Sequence, residues 1–142
     1  MPAIKSNPAR KPANRMRDMI GSSASPLFTC SLTKRPVPIR PKGRSEMDSD
    51  GHILLFVDRH VIQAEPGTHS AQLFYANGQE MEYLSVTGTG EQVTDPETIQ
   101  AVLARHSAGE GVQEDDVLIR IRPVSAFSWN TRTGTLTPIM KQ

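Results

Sequence analysis

Basic and polar side chains gather at both ends of one apolar run in the middle of the chain. Arg40-Pro41-Lys42 precedes a polar turn that ends at Asp50-Gly51, the apolar run extends from Ile53 to Val57, and Asp58-Arg59 follows directly. Apolar residues on successive positions are typical of a strand that is covered on both faces. The cations that flank it could form charge-assisted hydrogen bonds with an anionic ligand.

Standard catalytic signatures are absent from the sequence. No GxxxxGK[ST] phosphate loop occurs, and Gly88 and Gly90 lie in a strand-like pattern that is no dinucleotide fingerprint. No serine lies in a nucleophile-elbow context. The histidines at 52, 60, 69 and 106 lack zinc-like spacing to cysteine or carboxylates. The sequence therefore identifies no catalytic residue and predicts no metal site.

Length and composition exclude several other classes of protein. A chain of 142 residues is predicted to form one domain. No apolar run approaches the ~18 residues that span a bilayer, and the N-terminus lacks the apolar core of a signal peptide. The single cysteine, Cys30, cannot form an internal disulfide, which favours a cytoplasmic location and a structural role as a small buried side chain. The body has no basic stripe interleaved with aromatic residues, which argues against nucleic acid as a partner.

The first 22 residues differ in composition from the rest. The segment contains five basic residues but only one acidic residue, Asp18, and it also contains Pro2, Pro8 and Pro12. Such a composition buries too little apolar surface to offset the entropy of ordering. The sequence predicts a flexible basic tail over 1–22 that is dispensable for folding, followed by a folded domain over 23–142. In the alternative, a helix that carries Met16, Met19 and Ile20 docks on that domain.

From residue 26 onward the sequence predicts short strands and one well-marked helix. Strands are predicted over 27–32, 37–42, 52–57, 70–76, 80–93 and 117–122, with a hairpin signal at Asn77-Gly78 and a bulge at the two glycines of the fifth strand. Asp95 is the predicted N-cap of the helix and Pro96 its first residue. The charges of Glu114 to Asp116 are predicted to be solvated. Many short strands with one helix favour a small barrel.

The order and spacing of four segments resemble the pyridoxamine 5′-phosphate oxidase-like split barrels, and most closely their general stress protein branch. The segments are Leu27–Cys30, Arg40–Lys42, Tyr83–Glu91 and Ile121–Pro123 with Trp129. The resemblance implies a mainly β, six-stranded split barrel of Greek-key type with one or two helices. It also implies a homodimer that binds flavin mononucleotide (FMN) at the subunit interface and acts as an oxidoreductase on an unknown substrate.

The resemblance also implies where the flavin would bind. Its ring would lie along Arg40, Pro41 and Lys42, Trp129 would approach from the partner chain, and the phosphate would lie near Val57, Asp58, Arg59, His60 and Gln63. The family holds the phosphate with hydroxyl and basic side chains where this chain has Val57, Val61, Ile62 and Gln63. Asp58 would repel a phosphate and is expected to cap a turn. The sequence thus predicts a degraded phosphate site with micromolar or weaker flavin binding, which Val61→Ser with Gln63→Lys would tighten. The alternative is a cofactor-free homodimeric barrel that acts as a binding or interaction module.

Overall fold

The computed structural model of the protein describes residues 12–22, 26–32, 34, 38–63, 65–77, 81–106 and 110–140. These ranges contain two α-helices, α1 (Pro12–Ser22) and α2 (Pro96–Leu103), and one 3-10 helix (Arg59–Val61). They also contain seven strands: β1 (Leu27–Cys30), β2 (Lys42–Met47), β3 (Ile53–Val57), β4 (His69–Asn77), β5 (Glu82–Gln92), β6 (Val117–Asn130) and β7 (Thr135–Met140).

Six antiparallel strands follow one another around a barrel in the order β1-β4-β5-β6-β3-β2. Phe28 in β1 exchanges two backbone hydrogen bonds of 2.8 Å with Ile39, just before β2, and this bridge joins the two ends of the sheet. β4, β5 and β6 are successive neighbours and β3 lies beside β6, which is a Greek-key order. The mainly β barrel predicted from the sequence is confirmed. Within the described part of the predicted 37–42 strand, Ile39 forms the bridge to Phe28 and Lys42 begins β2, which continues to Met47.

β6 extends far beyond the predicted strand over 117–122, because it pairs with two different strands, one after the other, along one of its edges. β5 runs along one edge of β6, while β3 pairs with its first residues and β7 with its last. The register between β5 and β6 shifts between Thr87 and Gly88, where the sequence predicts a bulge. A side chain at Gly88 would place its Cβ only 2.1 Å from the carbonyl oxygen of Arg122, so the close approach requires glycine.

Two apolar cores cover both faces of β3. Ile53, Leu55 and Val57 point into the barrel, where they belong to the main core. Leu54 and Phe56 point outward into a second core under α2. All five residues of the strand are buried, which confirms the prediction of a strand covered on both faces. The helix that covers it starts as predicted, since the Asp95 side chain accepts a hydrogen bond from the Thr98 backbone N–H.

The first helix closes the barrel on another side. Met16 and Ile20 are buried members of the main core, and Arg17 donates a 2.7 Å hydrogen bond to the carbonyl oxygen of Asp48. The predicted flexible tail over 1–22 must therefore be corrected for residues 12–22, because Met16, Met19 and Ile20 form an apolar stripe at helical spacing. Residues 1–11 lie outside the described ranges. Neither described helix is long and apolar enough to cross a membrane.

Candidate functional site

The segment after β3 carries most of the predicted phosphate-binding positions. Val57 is fully buried in the main core, and its side chain has no hydroxyl to offer a ligand. Asp58 caps the 3-10 helix, as expected, by accepting a 2.8 Å hydrogen bond from the His60 backbone N–H. This hydrogen bond is the main reason why the pKa of the Asp58 carboxyl lies below its usual range. The segment predicted to hold the phosphate therefore contains a carboxylate that is ionised at neutral pH.

Lys42 is a basic side chain on the strand predicted to hold the flavin, and it forms ion pairs with carboxylates of its own chain. Its Nζ lies 3.1 Å from Asp116 Oδ1 and 4.0 Å from Asp58 Oδ2. The hydrogen bond to Asp116 raises the pKa of Lys42 above its usual value. Asp116 itself is held by the backbone N–H of Gln113, which donates a 2.7 Å hydrogen bond to its other oxygen.

Asp116 corrects one prediction from the sequence. The loop 114–116 is predicted to carry solvated charges, but the Asp116 side chain is only 3% exposed. The reason is the antiparallel pairing of β3 with β6, which sets Val57 opposite Val117 and so places the residues just beyond each strand side by side. Asp115, in contrast, is exposed and pairs with Arg59 at 3.3 Å.

These five charged side chains form what we call the ion-pair cluster: Lys42, Asp58, Arg59, Asp115 and Asp116. Two cations against three carboxylates leave it with a formal charge of −1. The cluster occupies the end of β3 where the sequence analysis places the phosphate. A phosphate there would meet one cation bound to a buried carboxylate and another paired at the surface.

The remaining predicted site residues are more dispersed. Arg40 is exposed and Pro41 is buried, directly before β2. His60 and Gln63 are also exposed, and the Gln63 backbone N–H donates to the carbonyl oxygen of Leu32. Trp129 lies twelve residues beyond Val117 on β6, so one chain does not bring it to the ion-pair cluster. Its predicted approach from a partner chain stays a prediction.

The outside of the barrel carries an apolar surface, of which the sequence analysis names only Trp129 as a site residue. Phe74 and Tyr83 stack at 5.8 Å with an interplanar angle of 16°, and Tyr83 contacts Trp129 at 5.7 Å. Leu27 lies opposite Phe74, and Leu136 lies opposite Trp129. We call these five residues the outer aromatic face; Trp129 is 47% exposed and Leu136 is 63% exposed. The alternation of β4 carries part of the signal, since Phe74 falls on its outward phase between buried Leu73 and Tyr75.

A shallow groove with a volume of about 420 Å³ lies across β1, β4 and β5. Hydroxyl and amide side chains line it, among them Thr29, Ser31, Gln72 and Thr87. Cys30 also borders it, but this thiol is buried and its burial raises its pKa. A raised pKa leaves little thiolate at neutral pH, so the predicted structural role of Cys30 fits better than a nucleophilic one.

Solved structures with the same architecture identify the fold. A protein described as general stress protein 26 from Jannaschia sp. CCS1 has a TM-score of 0.57 at 19% identity, over 82% of this chain and 73% of that one. A general stress family protein from Xanthomonas campestris pv. campestris has a TM-score of 0.60 at 12% identity, over 84% and 86%. The chain has the general stress protein 26 fold.

A third structure with this fold carries the name of the predicted family. It is a protein from Clostridium acetobutylicum, related to general stress protein 26 and assigned to the pyridoxinephosphate oxidase family. Its TM-score is 0.58 at 11% identity, over 89% of this chain and 94% of that one. At such identities the likeness shows the fold alone. No protein-family model matches the chain, and no curated protein matches its sequence.

The residues of this chain do not fit the phosphate of FMN. A phosphate needs hydroxyl and cationic donors that are free to point at it. The ion-pair cluster instead presents Asp58 as a capping carboxylate and binds Lys42 to Asp116. Val61, the position at which a serine would be restored, packs against the main core.

Proposed function

We propose that the protein is a homodimeric split barrel that acts as a binding module and has lost the phosphate subsite of an FMN-dependent oxidoreductase. It binds flavin with micromolar or weaker affinity, and it binds FMN no more tightly than riboflavin. The ion pair between Lys42 and buried Asp116 carries the proposed loss of the phosphate subsite, because it neutralises one cation of the ion-pair cluster with a carboxylate of the same chain. The predicted oxidoreductase is the alternative, which the shared fold supports.

The expected loss of affinity follows from the number of missing contacts. A hydrogen bond to a charged group contributes about 1.5–3 kcal/mol, and each ~1.4 kcal/mol changes a dissociation constant tenfold. Two missing contacts therefore weaken FMN binding by about 10²-fold or more. Repulsion from Asp58 acts in the same direction, since its lowered pKa keeps the carboxyl ionised at neutral pH. Riboflavin lacks the phosphate and loses nothing from this change.

A second copy of the chain is the proposed occupant of the outer aromatic face. This face extends over β1, β4, β5, β6 and β7 as one connected set of apolar side chains. Connected apolar patches of this kind on soluble proteins are typical of interaction surfaces. A two-fold dimer would cover the patch of each chain with the same patch of the other. The buried run Ile53–Val57 is not part of this face, because α2 of the same chain covers its outer side.

The proposed location is the cytoplasm. The described chain has one cysteine, Cys30, and its thiol is buried as a packing group. A protein that relies on no disulfide fits a reducing compartment.

The test begins with the visible absorption spectrum of freshly purified protein and continues with titrations of FMN and riboflavin. We expect no visible flavin band and equal, micromolar or weaker affinities for the two flavins. If the purified protein were yellow and bound FMN with nanomolar affinity, this result would contradict the proposal and support the alternative, an FMN-dependent oxidoreductase. Light scattering on the same sample tests the assembly separately, with a dimer mass expected at micromolar protein concentration.

A further inference from the structure

Two cavities meet at His52 and Arg122, at the opposite end of β3 from the ion-pair cluster. Each has a volume of about 250 Å³. The first lies over β5 and β6, and its polar side chains include Thr68, Thr89, Glu91 and Arg120. The second lies under α1, and its apolar walls are Met16, Met47, Pro123 and Met140. We call the pair the Arg122 cleft.

The strand register explains why these groups converge. Arg122 lies opposite Thr89 and Arg120 lies opposite Glu91 across the β5–β6 ladder. Arg120 and Arg122 are two residues apart, so both side chains leave the same face of β6, away from buried Ile121. His52 enters from the neighbouring strand, directly before Ile53, which pairs with Ile121.

The charged side chains that line the cleft are Glu91, Asp50, Arg120 and Arg122, so their formal charges balance. Arg120 Nη1 lies 3.5 Å from Glu91 Oε1, and this pair is neutral. Arg122 makes no ion pair or side-chain hydrogen bond with any residue in the described part of the chain, although it lines both cavities. The N–H donors of its guanidinium are therefore available to a ligand. The hydroxyl groups of Thr68 and Thr89 line the same cavity.

We propose that the Arg122 cleft binds a small monocarboxylate with an apolar body. The planar guanidinium matches a carboxylate in a bidentate geometry. One guanidinium without a protein partner suits a monoanion, whereas the carboxylates of Glu91 and Asp50 oppose a phosphate dianion. The apolar body lies against Met16, Met47 and Met140, whose flexible thioether side chains adapt to irregular ligands.

The size of the cleft agrees with such a ligand. A cavity of about 250 Å³ has the volume of roughly eight waters at ~30 Å³ each, which accommodates a short acyl chain or one aromatic ring. The same cavity contains three methionines with His52 and Asp50, and the last two form a group of possible metal ligands with Asp48. Asp48 Oδ1 already accepts hydrogen bonds from the backbone N–H groups of Asp50 and His52, and the Arg122 guanidinium opposes a cation beside it, so the carboxylate is the better match.

The test is a titration with octanoate, followed by nuclear magnetic resonance of the isotope-labelled full chain. The backbone signals of Thr68, Thr89 and Arg122 should shift together in a saturable manner. Neutral 1-octanol, which has the same chain length, should leave them unchanged. Inorganic phosphate at the same concentration should bind at least tenfold more weakly, since a difference of ~1.4 kcal/mol is tenfold.

Two arginine variants make the test specific. Arg122→Gln should weaken octanoate binding by about tenfold or more while retaining the melting temperature, because its side chain is exposed and contributes nothing to the core. Arg132→Gln removes an exposed arginine outside the cleft and should leave binding unchanged. Equal octanoate affinity in the wild type and Arg122→Gln would overturn the proposal, as would the absence of saturable shifts. Stronger binding of phosphate would assign the cleft to phosphorylated ligands and overturn the carboxylate. The result does not depend on flavin affinity, so this proposal and the proposed function fail separately.

Discussion

Lys42 Nζ lies 3.1 Å from Oδ1 of Asp116, whose side chain is almost completely removed from solvent. This pair joins the start of β2 to the loop before β6, across the end of β3. The ammonium group of Lys42, on the strand predicted to hold the flavin, is thereby paired with a carboxylate of its own chain.

Asp116→Asn should separate the structural role of this pair from its effect on ligands. The variant keeps an oxygen that accepts from the Gln113 N–H but removes the negative partner of Lys42, and we expect a loss of about 1–3 kcal/mol in unfolding free energy. It should also bind FMN more tightly than riboflavin, because Lys42 becomes available to the phosphate.

Asp115→Asn is the matched control, since its exposed pair with Arg59 should contribute less than ~1 kcal/mol. Chemical denaturation and flavin titration measure both effects. If Asp116→Asn had the same ratio of FMN affinity to riboflavin affinity as the wild type, this result would contradict the assigned role of Lys42.

The alkaline limit of stability should depend on Lys42 and Tyr75. The pKa of Lys42 is raised above 10.5, chiefly by its hydrogen bond to Asp116. Burial raises the pKa of Tyr75 above 10.0, and its hydroxyl lies 2.7 Å from Ser45 Oγ. Both groups keep their proton in the folded protein at a pH where the unfolded chain loses it. Their contribution is complete below about pH 10 and is lost as the pH rises further.

Tyr75→Phe tests this pH dependence. The variant should lose about 1 kcal/mol at neutral pH through the missing hydrogen bond, and its stability should fall less steeply than that of the wild type above pH 10. Denaturation curves at closely spaced pH values measure both slopes. If the stability of the variant fell as steeply above pH 10 as that of the wild type, ionisation of Tyr75 would not limit stability at alkaline pH.

Helix α1 should be part of the folded domain. Met16 is only 1% exposed, and Met16→Ala should cost about 2–4 kcal/mol through lost burial and the cavity that remains. Deletion of residues 1–22 should destabilise the protein at least as much. Arg15→Ala, one position earlier on the exposed side of the helix, is the control and should change stability by less than ~0.5 kcal/mol. An unchanged melting temperature after the deletion would support the flexible tail predicted from composition.

A charge placed on the outer aromatic face should dissociate the proposed dimer. Phe74→Glu puts a carboxylate in the centre of the face, next to Tyr83, and burial of an unpaired charge is costly. Sedimentation should therefore give a monomer for this variant and a dimer for the wild type at the same micromolar concentration. Gln100→Glu adds the same charge to the exposed side of α2 and should remain dimeric. A dimer that persists in Phe74→Glu would place the interface elsewhere.

The sequence predicts the barrel well because its strand signals are local. The covered run Ile53–Val57, the bulge before Gly88 and the cap at Asp95 each depend on a few consecutive residues, and each has the predicted structure. The general stress protein 26 fold is implied instead by the family resemblance of four segments: Leu27–Cys30, Arg40–Lys42, Tyr83–Glu91, and Ile121–Pro123 with Trp129. Helix α1 is only the alternative in the sequence analysis, because basic residues and prolines dominate the composition of its segment, whereas three apolar residues decide its docking.

The candidate site is harder to predict because it depends on pairing across the sheet. Asp116 and Lys42 are distant in sequence, and only the register of β3 with β2 and β6 brings their charges together. A sequence shows three consecutive acidic residues at 114–116 but not which of them is buried. The Arg122 cleft has the same origin, since Thr89 and His52 reach Arg122 from two neighbouring strands.

The ratio of FMN to riboflavin affinity tests the central claim most directly. Both ligands carry the same ring, so the ratio reports the contribution of the phosphate alone. With Lys42 bound to Asp116 and Asp58 ionised, the wild-type protein should give a ratio near one, within about threefold, by isothermal titration calorimetry. Binding of FMN at least ~100-fold tighter than riboflavin would contradict the account, because it would require about 2.7 kcal/mol from phosphate contacts that the ion-pair cluster does not offer.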